Sequence, residues 1–322
     1  MNFNQYFSNE QIQGIIEGWV DSYPSLLELS QIGLSHENRP IWLLILTNRK
    51  TGSDCEKPAL WVDANIHATE LAGSTTALFI AEHLLSAYGH DEQVTHLLDT
   101  SVVYLVPRVN PDGAAWALAD DPRFIRSGVR RYPWEELDEG LHVQDINQDG
   151  KILQMRILDP NGDWKISTLD PRLMEKRGPD EYDGKFYRLL SEGVLEDYDG
   201  YLIKEARTPE GLDFNRNFPF EWRTEGEQHG AGPYPASEPE IRALVDFISR
   251  HPNINIALTF HTFSRVLLRP YSTKPDDDMI PEDLWIFKKM GEIGTRASGY
   301  RCASTFHDFK YHPKEVTTGA FD

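Results

Sequence analysis

His67 and Glu70, in the stretch Asp63-Ala-Asn-Ile-His-Ala-Thr-Glu70, put an imidazole and a carboxylate three positions apart. Imidazole nitrogen and carboxylate oxygen are both zinc donors, and an open catalytic zinc site uses three protein ligands with water in the fourth position. Spacing alone does not single this pair out. The chain holds four His-x-x-acid pairs, the others being His96/Asp99, His142/Asp145 and His312/Glu315, where random placement gives about two. Position does the sorting: His67 directly follows an apolar run and Glu70 directly precedes a helical one, whereas the other three pairs lack that context. A third ligand is available in His261, which ends a second apolar run at Thr259-Phe-His261.

Further stretches carry candidate groups. Asn110-Pro-Asp-Gly113 is, by itself, a good turn. Asp213-Phe-Asn-Arg-Asn-Phe218 sets Asn215 beside Arg216, and a planar guanidinium is a natural clamp for a carboxylate. Arg123 and Arg126 follow the turn, either as surface charge or as part of a site. Asp145, Asn147 and Asp149 match the first half of a calcium loop, but its twelfth position is Arg156 where a bidentate glutamate belongs. An Asp/Gly-rich hairpin turn is the expectation there, with Ca2+ as the alternative.

The elements that must position these groups are legible as short apolar runs. Ile41–Thr47, Ala59–Ile66, Ser101–Val106 and Ile254–Phe260 read as buried strands, rich in β-branched residues. Ala72–Tyr88 reads as a helix stopped by Gly89, with Ala77, Ile80, Ala81, Leu84 and Leu85 on one face. Ser237-Glu-Pro-Glu240 reads as a capping box that opens another helix, and Trp285–Ser298 as a third. Strands alternating with helices predict an α/β fold: a mixed, largely parallel central sheet with helices on both faces. In such sheets ligands gather beyond the carboxyl ends of the strands, where His67, Glu70 and His261 fall. Residues from about 120 to 211 break the rhythm and predict a loop-rich insertion with small strands.

Composition narrows the rest. A chain of 322 residues with 40% hydrophobic and 26% charged side chains is of the globular class. Its net charge of −19 argues against nucleic acid, which requires clustered Lys and Arg; residues 135–211 alone carry 19 acidic against 10 basic side chains. No apolar run approaches the ~20 residues of a membrane helix, and the amino terminus lacks the pattern of a secretory signal, so no membrane partner and a cytoplasmic location are expected. Cys55 and Cys302 match no disulfide scaffold or Cys-based zinc motif and are read as unpaired thiols.

Taken in order, His67-x-x-Glu70, Asn110-Pro-Asp-Gly113, Asn215-Arg216-Asn217-Phe218 and Thr259-Phe-His261 resemble the zinc metallocarboxypeptidases of the carboxypeptidase A type. The resemblance runs from about Pro24 to Asp322 and implies one catalytic domain over 1–322 with an insertion at 127–211. It implies that His67, Glu70 and His261 hold one Zn2+, that Arg126 stabilises the tetrahedral oxyanion, and that Asn215 and Arg216 grip the terminal carboxylate of a peptide substrate. Phe321, in Gly319-Ala-Phe-Asp322, falls where the family's specificity pocket is lined and suggests apolar terminal residues. The family's mobile tyrosine should lie just upstream; a gap-free count lands on Lys314, and Tyr311 qualifies only with a longer loop. The family's general-base glutamate comes on one further strand, beyond Asp322, and Glu315 lacks its context. The expectation for the 322 residues is therefore a domain lacking its last strand, one that binds zinc and hydrolyses peptides poorly or not at all. The implied activity is a zinc exopeptidase acting on carboxy-terminal residues. The alternatives are a zinc amidase or deacylase on cell-wall peptides or acylated amino acids, and an inactive zinc-containing binding module.

Overall fold

The computed structural model describes residues 2–133, 140–201, 203–206, 208–310 and 316–321. In chain order the elements are α1 (Asn9–Ser22), β1 (Leu27–Leu34), β2 (Pro40–Leu46), β3 (Ala59–Ala64), α2 (Leu71–Ala87), α3 (Glu92–Thr100), β4 (Val102–Val106) and α4 (Pro111–Ala117). A run of small strands follows: β5 (Gly140–Val143), β6 (Gln154–Leu158), β7 (Trp164–Ile166), β8 (Met174–Lys176), β9 (Tyr187–Ser191) and β10 (Gly193–Glu196). The chain closes with α5 (Pro239–Arg250), β11 (Ile254–Phe260), β12 (Val266–Arg269), α6 (Pro281–Ser298), β13 (Arg301–Ser304) and α7 (Thr305–Asp308).

Two units emerge, 1–135 with 209–322, and 136–208. The first is built on a five-stranded sheet in the order β1-β2-β4-β3-β11. β3 runs parallel to both β4 and β11, while β2 is antiparallel to β1 and β4, so the sheet is mixed. Along its strands alternate residues face opposite layers, as the pleat requires. Leu44, Leu46, Val62, Ala64, Val103 and Leu105 pack with Ile12 and Ile16 of α1, Leu78 and Leu85 of α2 and Leu98 of α3. Ile41, Leu43, Trp61, Val102, Tyr104 and Val106 pack with Ile241 and Leu244 of α5. Helices therefore cover both faces, and the central strands read as unbroken apolar runs because both of their sides are buried. Each fully buried large apolar side chain contributes on the order of 1.5–3 kcal/mol.

β11 departs from the expectation of four buried strands. Ile256 is 45% and Leu258 41% exposed. The physical reason is position: among the described residues β11 pairs only with β3, so it is an edge strand whose apolar run is covered less than the sequence suggests. The capping box read at Ser237–Glu240 also differs. α5 begins at Pro239 with Glu238 as N-cap and no side-chain cap, because Ser237 Oγ donates instead to Glu238 Oε1 at 2.7 Å. Both side chains are drawn away from the helix. A capping box does form at α1, where Ser8 Oγ accepts from Gln11 N and Gln11 Oε1 accepts from Ser8 N.

The second unit holds a four-stranded sheet, β6-β9-β7-β8, and a β10–β5 pair. In the loop read as either a turn or a calcium site, Asp145 accepts from the amides of Asp149 and Gly150, and Asn147 Oδ1 accepts from Asp149 N. Those oxygens are consumed in a self-satisfied turn, and nothing supports calcium at Asp145, Asn147 and Asp149. Cys55 and Cys302 are free thiols, as read. No helix among the described residues is long and apolar enough to cross a membrane.

At the amino end of α5 the Glu240 side chain is buried, with Oε1 accepting from His36 N at 2.9 Å and Oε2 without a hydrogen-bond partner. Burial pushes its carboxyl up to about 7, and the charges of Asp112 and Glu238 add to that against the His36 bond. Between the ordinary carboxylate range and pH 7 the unfolded chain has lost this proton while the folded one keeps it. Its contribution is fully present below about pH 4.5 and is lost as pH rises through 7, a change on the order of 3 kcal/mol at most. Urea-unfolding free energies of wild type and Glu240→Gln, compared from pH 4.5 to 8, are expected to converge at the acid end and to favour the variant at the alkaline end. Parallel profiles would count against the buried-carboxyl assignment.

Candidate metal centre and anion clamp

The site is assembled at the carboxyl edge of the sheet because β3 and β11 are parallel neighbours in register. Ala64 of β3 pairs with Phe260 of β11, so the residues just beyond each, Asn65 to His67 and His261, leave the sheet side by side. Asn65 turns the chain sharply, with φ at +59°, a conformation Asn tolerates better than most residues. Its Nδ2 donates to the carbonyls of His67 at 2.7 Å and Ala68 at 3.3 Å, locking the loop. α2 then starts at Leu71, leaving Glu70 at the helix boundary.

Three donor groups converge there. His67 Nδ1 lies 3.0 Å from Glu70 Oε1, His261 Nδ1 lies 3.1 Å from Glu70 Oε2, and the two Nδ1 atoms are 3.1 Å apart. Their ligand atoms all fall within 4.8 Å of one another. His67 is nearly buried at 3% side-chain exposure and His261 is open at 31%. Two imidazole nitrogens and a carboxylate at this separation bring lone pairs together, an arrangement satisfied by protons or by a cation, and the donor set is that of His₂Glu zinc. The groups present therefore fit a zinc ion.

The surroundings fix the ligands' orientation. His67 Nε2 lies 3.1 Å from Asp213 Oδ1; with its proton on Nε2 the ring presents the Nδ1 lone pair to the cluster, the usual support given to a metal-binding imidazole. Glu70 Oε2 also accepts from Thr262 N at 3.0 Å. Burial alone would push the Glu70 carboxyl up, but hydrogen bonds from His261 and His67 outweigh it and hold it at about 2. Burial would lower His67, yet its bonds to Asp213 and Glu70 raise it. Burial would likewise raise Asp213, which the His67 bond and the charges of Arg216, His67 and Arg126 keep well below the usual carboxylate range.

Asp213 is the residue that sequence reasoning left without a role. Besides His67 it accepts from Arg126 Nε at 2.9 Å and from Asn215 N at 2.9 Å, and it lies 4.0 Å from Arg216 Nη2. Its place just ahead of Asn215-Arg216 was the one available signal. Arg126 also approaches Glu70 Oε1 at 3.5 Å. Arg216 is buried, donating from Nη1 to Asn215 O at 2.6 Å. Arg123 goes elsewhere, pairing with Glu210 and stacking on Trp116.

Asn110 caps α4, accepting from Gly113 N and donating to Ser127 O at 2.7 Å. A Cβ at Gly113 would lie 2.6 Å from Ala68 Cβ and from Asn110 Nδ2, so the Asn110–Gly113 turn is packed directly beneath the His67 loop. Phe321 donates its amide to Asn215 Oδ1 at 2.9 Å and tilts its ring against Phe218 at 5.1 Å. That approach needs Gly319, whose φ is +62° and where a Cβ would meet Arg216 O at 2.2 Å. Tyr311, Lys314 and Glu315 lie outside the described residues. Among the described residues the cluster's bonded partners are Asp213, Arg126 and the Thr262 amide, with no second glutamate.

Comparison with known proteins decides what this constellation belongs to. The zinc carboxypeptidase profile matches residues 12–320. The chain belongs to the zinc carboxypeptidase family. It is 27% identical over 300 residues to carboxypeptidase A2 of Mus musculus, covering 92% of this chain and 52% of that protein. The chain thus spans about half the length of the curated relatives it matches. In fold it is similar to thrombin activatable fibrinolysis inhibitor, with a TM-score of 0.64 at 22% identity, covering 99% of this chain and 63% of that one. It is also similar to carboxypeptidase A of Helicoverpa armigera, with a TM-score of 0.62 at 18% identity, covering 100% and 61%. The mixed sheet and its flanking helices are those of carboxypeptidase folds.

Removing the charge at Asp213 tests the orientation argument in this zinc carboxypeptidase chain. In Asp213→Asn the zinc affinity measured by chelator competition is expected to fall about 10- to 100-fold. Unchanged affinity would mean that the His67 tautomer is set by something else.

Proposed function

We propose that this protein is a zinc-dependent exopeptidase that removes the carboxy-terminal residue of peptides, with a preference for apolar side chains there. The observation that carries the reading is the linkage, through the single carboxylate of Asp213, of the His67/Glu70/His261 cluster to Arg126 and to the Asn215-Arg216 pair. A zinc ion held by His67, Glu70 and His261 would supply Lewis-acid polarisation of the scissile carbonyl and activation of water.

The chain's own residues do the rest. The buried guanidinium of Arg216, with Asn215 beside it, receives the free carboxylate of the substrate in charge-assisted hydrogen bonds. A peptide that continues past this point, or ends in an amide, offers no such anion and gains no charge-assisted contact from the guanidinium, which is how internal bonds are rejected. Arg126, anchored through Nε to Asp213 and lying near Glu70, offers positive charge where the oxyanion develops, an interaction that strengthens only as the transition state is approached. Phe321, tied to Asn215 through its amide, supports an apolar neighbour for the terminal side chain.

Blocked dipeptides with a free or an amidated carboxyl terminus, ending in Phe or Lys and assayed with and without chelator, test the proposal. Any release of the terminal residue is expected from the free acids only, faster for Phe than Lys and lost on chelation, and is expected to be slow for these 322 residues, since among the described residues no second glutamate lies beside the cluster to take a proton from water. Arg216→Ala is expected to raise KM about 100-fold, the loss of one buried charge-assisted contact of roughly 2–3 kcal/mol, with a smaller effect on kcat. Equal handling of acids and amides would overturn the exopeptidase reading. Zinc-dependent binding of the free acids without turnover would favour a binding module.

A further inference from the structure

A second group of metal donors lies at the opposite, amino-terminal edge of the same sheet, and the proposed hydrolysis makes no use of it. Asp54 and Cys55 sit in the short turn Asp54–Glu56 that leads into β3, and His251 sits in the turn between α5 and β11. A carboxylate oxygen, the thiol sulfur and an imidazole nitrogen from these three residues lie within 4.8 Å of one another. We propose that Asp54, Cys55 and His251 form a second metal site, suited to Zn2+ and related borderline-to-soft divalent ions, that pins these two turns together.

The first support is the way the ligands are held. His251 Nδ1 lies 2.7 Å from Phe247 O, so Nδ1 carries the proton and donates it, leaving Nε2 as the ring's lone-pair donor. Engagement of one ring nitrogen by a carbonyl, leaving the other for the ion, is the recurrent support of a metal-binding histidine. The ring cannot swing away easily, because it stacks on Phe247 at 3.8 Å and meets the Tyr104 ring at 5.3 Å. Asp54 is oriented in the same manner: the Tyr104 hydroxyl donates to its Oδ2 at 2.8 Å. Asn253 Nδ2 bridges the two turns through the carbonyls of Asp54 at 3.0 Å and Lys57 at 2.8 Å. Two ligands are thus fixed by buried or half-buried neighbours, while the third, Cys55, is exposed and able to close on an ion by side-chain rotation.

The second support is chemical. Zinc–ligand bonds of about 2.0–2.3 Å in a tetrahedron put ligand atoms roughly 3.3–3.8 Å apart, so a cluster already within 4.8 Å has to contract by at most about 1.5 Å. Sulfur and imidazole together select zinc-like ions over magnesium or calcium. The Cys55 thiol already points at its neighbour, donating to Asp54 Oδ2 at 3.8 Å, so sulfur and carboxylate share one spot before an ion arrives. Uptake of an ion would release the thiol proton, and water would complete the coordination. The consequence is a fastener: the ion joins the β2–β3 connection to the α5–β11 connection, and any ion bound only by the folded chain stabilises it by mass action.

Cobalt titration of the metal-free chain separates this site from the His67 cluster, because only a thiolate ligand gives a near-ultraviolet sulfur-to-cobalt charge-transfer band. Two equivalents per chain are expected for wild type, one with that band. Cys55→Ser and His251→Gln are expected to bind one equivalent without it, while Cys302→Ser and His67→Ala keep it. Tyr104→Phe, which removes the hydroxyl that donates to Asp54, is expected to weaken the thiolate equivalent about 10- to 100-fold. Absence of that band in wild type, a band that survives Cys55→Ser, or a band seen only with cobalt in large excess would each overturn the proposal. Loss of the His67 equivalent alone would bear on the proposed hydrolysis and leave this site standing.

Discussion

Two histidine Nδ1 atoms 3.1 Å apart, each within 3.1 Å of an oxygen of one buried carboxylate, are the constraint around which this fold is arranged. Lone pairs brought so close in a poorly solvated place repel unless positive charge lies among them. The backbone accepts that cost because it is set by strand register: the parallel pairing of Ala64 with Phe260 delivers both imidazoles to one spot, and the Thr262 amide pins the carboxylate between them. A one-residue slip of β11 would turn His261 to the other face of the sheet. The apolar layers on both faces hold that register.

The neighbouring charges are organised by a single residue. Asp213 touches His67, Arg126 and the Asn215 amide and lies near Arg216. Those partners lie up to 146 positions away along the chain, so the bonds exist only once the 209–322 part of the first unit has folded against its amino-terminal part. Metal-ligand tautomer and guanidinium placement are therefore not independent: whatever moves Asp213 moves both.

How far the sequence exposed this is instructive in physical terms. β2, β3, β4 and β11 and helices α2 and α6 announce themselves because a core strand or helix must be apolar with the right period. His67, Glu70 and His261 stood out because each borders such an element, and Asn215 and Arg216 as an adjacent amide and guanidinium, with Arg126 noted only as charge after a turn; the roles of these three came from the family resemblance. Asp213 had no comparable signal, since its value lies in contacts between distant loops. Exposure of Ile256 and Leu258 was invisible too: an edge strand and a central strand can carry the same residues, and only pairing tells them apart. Ser237 reads locally as a cap, yet its hydroxyl goes to Glu238. In the second unit, strands of three to five residues are too short for periodicity to rise above noise.

Exposure gives the site a direction. His67 is sealed at 3% while His261 is open at 31% and Arg126 at 42%, so a ligand approaching the cluster meets the His261 and Arg126 side first. Arg216, by contrast, is buried at 9%, so an anion reaching it must shed water. Carboxylate desolvation is costly unless the partner is already arranged, and here the guanidinium is held by the Asn215 carbonyl and balanced by Asp213 before any ligand arrives. An incoming carboxylate would add negative charge beside Asp213, a penalty met by two guanidinium groups rather than one. Asp213 offsets part of the charge of both Arg126 and Arg216, and two guanidinium groups against one carboxylate leave positive charge in excess, so on the proposed reading a neutral ligand terminus would gain little from either.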